Sequence, residues 1–468
     1  MDSVLEYVGQ FLGSGARGSG QKEWTLILSR LTDEGVSESM NIIDRGKAFV
    51  KSLRDLASRS VWDWRRCPTC GETDTCRYGT YETTPWFLDG RRTVRVQRHL
   101  CNRCRSTYSE QSPLRVRGSW YAREVHRAAI DYWQFGGSSL RRAVALLQAH
   151  INHDGRWLLW RPLDPAPAAD GCCRLGASTV QRWLDRAGQS AAATVENQLA
   201  GVPTSGQMGT DGLWAILRGG AKRVVLVLVD NVTGLIWPPV VVAGEEAAAA
   251  WGEVFARAKQ AGLDLDVLRG IVSDGATGLV AYLNEMLVWV NHQRCVWHIW
   301  RKLAGELATQ VSEAARGLTG EVAKAARVQA RQELVRLIRG VVDATSEAAA
   351  TAALLQLAGH RLGGGLAALL RRDIERLFVY RLRYNAGLVR VGPEWVWRDF
   401  RLRLSHGRNH GSDVRLERAV LVWAIYRNFT PAQWRCERKR RYRHPGQSPL
   451  EVAGVALGTI SYLDALAV

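Results

Sequence analysis

Leu268 to His298 reads LRGIVSDGATGLVAYLNEMLVWVNHQRCVWH, and the fold is read outward from it. Leu268-Arg-Gly-Ile-Val-Ser273 is short and largely apolar, and Asp274-Gly275 closes it, which predicts a buried strand ending in a turn. Asp274 then sits at the carboxyl edge of a sheet. About sixty residues earlier Gln207-Met-Gly-Thr-Asp211-Gly-Leu-Trp-Ala-Ile-Leu217 repeats the arrangement, with Asp211 inside a strand-like segment that runs into Arg218-Gly219-Gly220. Two carboxylates on neighbouring strands repel unless positive charge lies between them. A divalent metal ion is the usual solution.

The chain between the acids supplies the sheet. Lys222 to Asp230 and Leu235 to Ala243 are two β-rich runs joined by the turn Asn231-Val-Thr-Gly234, giving three strands in meander order. Asp230 also ends a strand, but Asp-Asn-Val-Thr-Gly is good hairpin-turn chemistry, so it is left out of the site. Glu245 to Gly262 has helical composition, with Trp251, Phe255 and Ala258 on one face and Gly262 as its stop. The strand carrying Asp274 follows. This order is that of an RNase H-like α/β core, and the sequence resembles a DDE transposase. Cys295-Val-Trp-His298, about twenty residues after the second acid, narrows the resemblance to the Mutator-like superfamily and its bacterial insertion-sequence relatives.

That resemblance implies an all-α insertion before a third acid. Residues 303 to 385 are rich in Ala, Leu, Arg and Glu with helical periodicity, as in Glu333 to Arg339 and Leu366 to Phe378. The third acid chosen is Glu394, in Arg390-Val-Gly-Pro-Glu394-Trp-Val-Trp-Arg398-Asp-Phe-Arg401-Leu-Arg403, where Pro393 suits a first helical turn. The family's commoner Thr-Asn-Asn lead-in is missing, and Glu417 is the rival. The resemblance makes Asp211, Asp274 and Glu394 catalytic ligands of two Mg²⁺ or Mn²⁺ ions, about 3.5–4 Å apart in such sites. Cys295 and His298 would support the active site or position DNA. Arg398, Arg401 and Arg403 would contact DNA.

Charge and cysteines extend the reading towards both ends. The 468 residues carry a net charge of +18, an arginine-dominated excess that suits a polyanion. From Arg398 to Arg443 thirteen basic residues face four acidic ones, a balance of +9, half of the whole excess. Cys67-Pro-Thr-Cys70 and Cys101-Asn-Arg-Cys104 are two knuckles separated by a strand-rich stretch with an Asp89-Gly90 turn, the pattern of a zinc ribbon holding one structural Zn²⁺. Cys76 is spare, and Arg91, Arg92, Arg95, Arg98 and Arg105 would let the ribbon read DNA or leave it to brace the fold. Tyr121 to Gln148 predicts two helices around a Gly136-Gly-Ser-Ser139 turn. Ser178-Thr-Val-Gln-Arg-Trp-Leu-Asp-Arg186 then predicts a short basic recognition helix of a helix-turn-helix, with Gln181 and Arg182 on bases and Ser178 and Thr179 on phosphate.

The expected organisation is a helical N-terminal region (1–60), zinc ribbon (61–115), helix-turn-helix region (116–195), first part of the RNase H-like core (203–302), helical insertion (303–385), last part of the core with the catalytic helix (386–430) and a basic C-terminal tail (431–468). No apolar run is long enough to span a bilayer and no signal peptide is legible, so a cytoplasmic, nucleoid-associated, bacterial protein without a membrane is expected. The resemblance implies cleavage at transposon ends, joining of their 3′ ends to target DNA, double-stranded DNA bearing terminal inverted repeats as partner, and at least a homodimer. Two alternatives remain at this stage: a domesticated DNA-binding regulator, and a metal-dependent nuclease on the same fold.

Overall fold

In a strand, successive side chains point to opposite faces. Within Lys222–Asp230 both sets are apolar: Val224, Leu226 and Leu228 enter one buried cluster, and Val225, Val227 and Val229 enter another. A strand of this kind must be covered on both faces, and the rest of the domain supplies the two covers. The computed structural model describes residues 65–466 except 111–113, 115, 117, 137–138, 153–172, 200, 245, 382–387, 394–395, 398–399, 402–409 and 432–445. The helical region expected over 1–60 therefore lies outside the described residues.

In chain order the strands β1 (Thr75–Thr83), β2 (Trp86–Phe87), β3 (Gly90–Arg91), β4 (Val94–Cys101) and β5 (Thr107–Ser109) come first. Three helices follow: α1 (Arg123–Gly136), α2 (Leu140–Ile151) and α3 (Ala177–Gln198). Next come β6 (Gln207–Ile216), β7 (Lys222–Asp230), β8 (Val240–Ala243), α4 (Ala248–Gln260), β9 (Gly270–Ser273), α5 (Thr277–Met286) and β10 (Asn291–Arg294). The helices α6 (Val296–Glu313), α7 (Gly320–Val342), α8 (Glu347–Gly359) and α9 (Gly364–Arg371) precede α10 (Asp413–Phe429) and the short α11 (Pro449–Val452) and α12 (Tyr462–Ala465).

The large sheet has the order β10-β9-β6-β7-β8. β6, β7 and β8 are an antiparallel meander, while β9 lies parallel to β6 and β10 parallel to β9. One face is covered by α4 through Trp251, Val254 and Phe255; the other by Val396, Trp397, Phe400 and the Leu416, Val420 and Trp423 side of α10. Trp397 and Trp423 stack with ring centroids 5.4 Å apart.

Three details depart from the sequence reading. The run from Leu235 to Ala243 is a strand only from Val240, because Pro238 and Pro239 have no N–H to give the ladder. Leu235 and Trp237 still bond to β7, through Asp230 N to Leu235 O and Trp237 N to Leu228 O, and the buried Asn428 amide covers the outer edge there, accepting from Ile236 N and donating to Ile236 O, both at 2.8 Å. β10 is a further strand inside the polar sequence Asn-His-Gln-Arg. Finally, α3 is a 22-residue helix rather than a short one, and its later turns pack against α10.

The insertion has a core of its own. Leu334, Ile338, Leu354, Leu357 and Leu366 form one cluster with Ile299 and Leu303 of α6. It is tied back to the sheet by polar contacts. The buried Gln293 amide of β10 donates to Leu377 O and accepts from Tyr380 N, and Arg294 pairs with Asp373 at 2.9 Å. At the other end of the chain, residues 446–466, expected to be basic tail, instead bury Leu450, Val455, Leu457, Leu463 and Leu466 in the main cluster. The basic run before them lies outside the described residues.

Burial also makes the fold acid-sensitive. Desolvation and nearby arginines push His126 and His292 down from 6.5 to about 3, and desolvation pushes His410 down to about 4. These rings are neutral in the folded chain, whereas the unfolded chain protonates them below about 6.5, so stability falls as pH falls from about 6.5 towards 4. The urea midpoint should decline over that window, and His126→Gln, which can keep the contact with Ser119 Oγ, should flatten the decline.

Candidate active site

The parallel pairing of β6 with β9 runs Gln207↔Gly270, Met208↔Ile271, Gly209↔Val272. The offset is constant (270 − 207 = 63), and continuing it places Asp211 opposite Asp274 (274 − 211 = 63). The pairing itself ends at Gly209↔Val272, two residues before the acids, and Asp274 lies in the turn just past β9. β9 ends at Ser273 while β6 continues to Ile216, so Asp211 and Gly212 line the side of β6 that β9 no longer covers. Asp211 is only 5% exposed, and its Oδ1 accepts from Gly212 N at 3.0 Å. Asp274 Oδ1 accepts from Ala276 N at 2.9 Å, just ahead of α5.

The turn that carries Asp274 is fixed from below. Gly275 has a left-handed backbone (φ 76°), and a Cβ there would overlap the Arg294 guanidinium. Gly275 N donates to Ser273 Oγ at 2.9 Å, and Ser273 Oγ also meets His292 Nε2 at 2.7 Å. Arg294 in turn is held by Asp373 of the insertion.

Cys295 and His298 occupy the start of α6. Cys295 is fully buried, and its Sγ accepts from Gly392 N at 3.1 Å. Burial raises the thiol, but hydrogen bonds to the His298 ring and to the Gly392 and His298 backbone hold it below its ordinary value. Val296 N also donates to Arg390 O at 2.9 Å. The Cys-x-x-His turn thus fastens the 390–393 segment against the sheet. Beyond it, Pro393 lies where a Cβ on Gly209 would meet it at 2.8 Å. Gly209, Asp211 and Leu213 share one face of β6 by alternation, and Leu213 belongs to the same cluster as Trp397. Glu394 itself lies outside the described residues. The rival Glu417 is described: it sits on α10, bonded to Arg257 NH1 at 2.5 Å.

One carboxylate was missed by the sequence reading. Glu246, just before α4, sets its side chain against Gly212, where a Cβ would collide with it. Desolvation and the charge of Asp274 push its carboxyl up to about 7, against the opposing influence of His298. The only hint in the sequence was a glutamate pair ahead of an alanine-rich helix, which reads as ordinary N-terminal helix charge.

Residues 239–351 match the family model described as Transposase, Mutator family. This stretch is similar to Mutator-family transposases. It contains Glu246, Asp274, Cys295 and His298; Asp211 and Glu394 fall outside it. No curated protein matches the chain.

Ahead of the matched segment, Cys67, Cys70, Cys101 and Cys104 form a group whose sulfurs all lie within 4.8 Å of one another. The pairs Cys67–Cys104 and Cys70–Cys101 are 3.5 and 3.6 Å apart. Four thiolates at about 2.3 Å around a tetrahedral zinc ion lie about 3.8 Å from each other, so the cluster could bind a metal such as zinc. The two knuckles are alike: Gly71 N donates to Cys67 O, Arg105 N to Cys101 O, and both donors have left-handed φ. Burial and the other three thiols push Cys70 up to about 12, while the Ser106 hydroxyl and backbone N–H groups outweigh burial at Cys67 and bring it down to about 5. Cys76 is outside the group, bonded to Asn102. Arg91, Arg92 and Arg98 lie over the rings of Trp86, Phe87 and Tyr78, and Arg95 bonds Thr80.

Of the residues expected on DNA, Ser178 and Arg182 are exposed at the start of α3, with Thr179 and Gln181 half-buried. Arg182 donates to Thr179 Oγ1, and Gln181 to Asp185. Arg401 is exposed; Arg398 and Arg403 lie outside the described residues. No described helix is long and apolar enough to cross a membrane.

The Gly275 turn gives a direct test of this geometry. Gly275→Ala imposes left-handed backbone strain of about 1–2 kcal/mol and displaces Arg294, so thermal unfolding should shift down by several degrees, whereas Gly79→Ala, with the same sign of φ but open space around it, should suffer the strain alone.

Proposed function

We propose that the chain is a DNA transposase that cleaves transposon ends and joins their 3′ ends to target DNA through Asp211, Asp274 and Glu394. The observation that supports the reading is the 63-residue register between β6 and β9, whose extension by two residues would align Asp211 with Asp274, in a sheet with an antiparallel meander followed by two parallel strands, the order expected of an RNase H-like core. Glu394 joins them on this reading because its neighbours are already in place. Pro393 lies against Gly209, and Val396 and Trp397 belong to the cluster that contains Leu213. The rival Glu417 faces Arg257 in an ion pair, which favours Glu394 on this reading.

A buried Asp211 and a half-buried Asp274 supply oxygen ligands of the kind a hard divalent cation takes. When bound, two Mg²⁺ or Mn²⁺ ions would activate the attacking hydroxyl and stabilise the leaving oxygen. The residues of the chain do the positioning. Asp211 and Asp274 are fixed by strand pairing, the Arg294–Asp373 pair holds the Asp274 turn, and Cys295 with His298 holds the segment that leads to Glu394. Because the arginine-rich stretch from Arg398 onward follows directly, phosphate backbone is drawn to the same edge of the domain.

The remaining parts serve DNA recognition on this reading. Cys67, Cys70, Cys101 and Cys104 hold one Zn²⁺ in a zinc ribbon. Helices α1 to α3 form a helix-turn-helix region that presents Ser178, Thr179, Gln181 and Arg182, and residues 303–385 are the helical insertion of the core. Pairing of two ends requires at least a homodimer, and the protein acts on the nucleoid.

Two experiments test these assignments. Purified protein with Mg²⁺ and a labelled duplex of the element's own end should give cleaved and joined products that vanish in Asp274→Ala and Glu394→Gln and persist in Glu417→Gln; end binding without metal-dependent products would sink the catalytic reading. Metal analysis should return about one zinc per chain, and Cys67→Ser with Cys104→Ser should lose it together with end binding.

A further inference from the structure

A cationic face that the acid site does not use lies on the helical insertion. Helix α7 carries Lys324, Arg327, Arg331, Arg336 and Arg339, all of them exposed. Its two acids are already taken: Glu321 faces Lys324 and Glu333 faces His360, each at 3.5 Å. Among the described residues no acid pairs with any of the four arginines. At 3.6 residues per turn, Lys324, Arg327, Arg331 and Arg339 fall within an arc of about 120°. That arc is clear of the stripe Ala330, Leu334, Leu337 and Val341, which packs into the core of the insertion.

Such a face does not serve the helix itself. Arg327 and Arg331 stand one turn apart, and like charges at that spacing disfavour a helix. Stability alone would set an acid beside one of them, as Glu321 stands beside Lys324. The macrodipole accounts for a cation in the last turn, where Arg339 lies, but not for Arg327 and Arg331 in the middle of the helix. The arrangement suits an anion supplied from outside.

Helix α7 also has a fixed place relative to the acids. Asp343, its C-cap, pairs with Arg390 at 2.6 Å. Arg390 O accepts from Val296 N at 2.9 Å, and the preceding Cys295 N donates to Ser273 O at 2.7 Å, one residue before Asp274. The cationic row therefore begins near the acid edge at Arg339 and runs outward to Lys324. The separation is 15 residues (339 − 324 = 15), about 22 Å at 1.5 Å per residue. That length matches about six base pairs of duplex, and arginine forks match phosphate oxygens.

We propose that this face of α7 is a track for the backbone of double-stranded DNA, holding the duplex that leads to the acid edge by contacts that read no sequence. The proposal rests on the transposase reading given above. Arg327, Arg331 and Arg339 each take a phosphate, and the DNA supplies the counter-charge that the helix lacks.

The test measures binding of the full-length, zinc-loaded protein to a labelled duplex of mixed sequence, without Mg²⁺, over a series of KCl concentrations. Each phosphate contact contributes about one to the slope of log affinity against log salt. Arg327→Gln with Arg331→Gln should therefore lower the slope by about two and weaken binding equally on an unrelated duplex. Arg327→Lys with Arg331→Lys, which keeps the charge, should retain the wild-type slope. Lys259→Gln with Arg269→Gln removes two exposed cations from the sheet domain and should leave the slope unchanged. A wild-type slope in the α7 glutamine variant would overturn the proposal, as would an equal fall in the Lys259 and Arg269 variant, which would mark a general effect of net charge. Absence of Mg²⁺-dependent cleavage and joining in the wild type would overturn the transposase reading alone, because the salt slope needs no chemistry.

Discussion

Parallel pairing between β6 and β9 is the constraint on which the rest of the site depends. Each strand carries one acid, and neither acid is well placed alone: Asp211 is nearly buried inside its strand, and Asp274 sits in a turn just past the end of its own. The shared register brings their strand ends side by side, and carboxylates that approach each other in a poorly solvated edge repel. That repulsion must be held by stronger forces. It is held on one side by the two-faced apolar packing of β7, and on the other by the Arg294–Asp373 pair that clamps the Asp274 turn.

The Cys-x-x-His turn follows from the same problem. The segment 390–393, about a hundred residues downstream of Cys295, needs a fixed landing point on the sheet. Cys295 provides it through a single buried sulfur, which bonds Gly392 and the His298 ring together. The cluster formed by α6 to α9 is long-range packing hung between the two halves of the sheet, and Gln293 and Arg294 on the edge strand are its polar hinges. One edge strand thus links the insertion to the acids.

Much of this was legible because the signals were local. Alternation in Lys222–Asp230, the Asp-Gly stop after Ser273 and the cysteine spacing each depend on a few adjacent residues, and each found its counterpart in the structure. What the sequence hid was non-local. β10 is polar because its side chains serve partners far away, Ser273 for His292 and Leu377 for Gln293, so its strand character never shows as hydrophobic alternation. Leu235 to Ala243 is not one continuous strand because Pro238 and Pro239 interrupt it, and the Asn428 amide that covers the edge at Ile236 lies far away in sequence. Glu246 looked like common helix-start charge, and only the glycines opposite, Gly212 and Gly278, reveal its seat.

The central claim is that three separated segments share one metal centre. Replacing Mg²⁺ with Fe²⁺ and adding ascorbate and peroxide generates radicals that cut the backbone beside the bound ion. The account predicts three clusters of cuts, next to Asp211, Asp274 and Glu394, all suppressed by excess Mg²⁺ and all lost in Asp274→Asn. Cuts beside Asp211 and Asp274 with none near Glu394, or cuts that Mg²⁺ does not suppress, would contradict it.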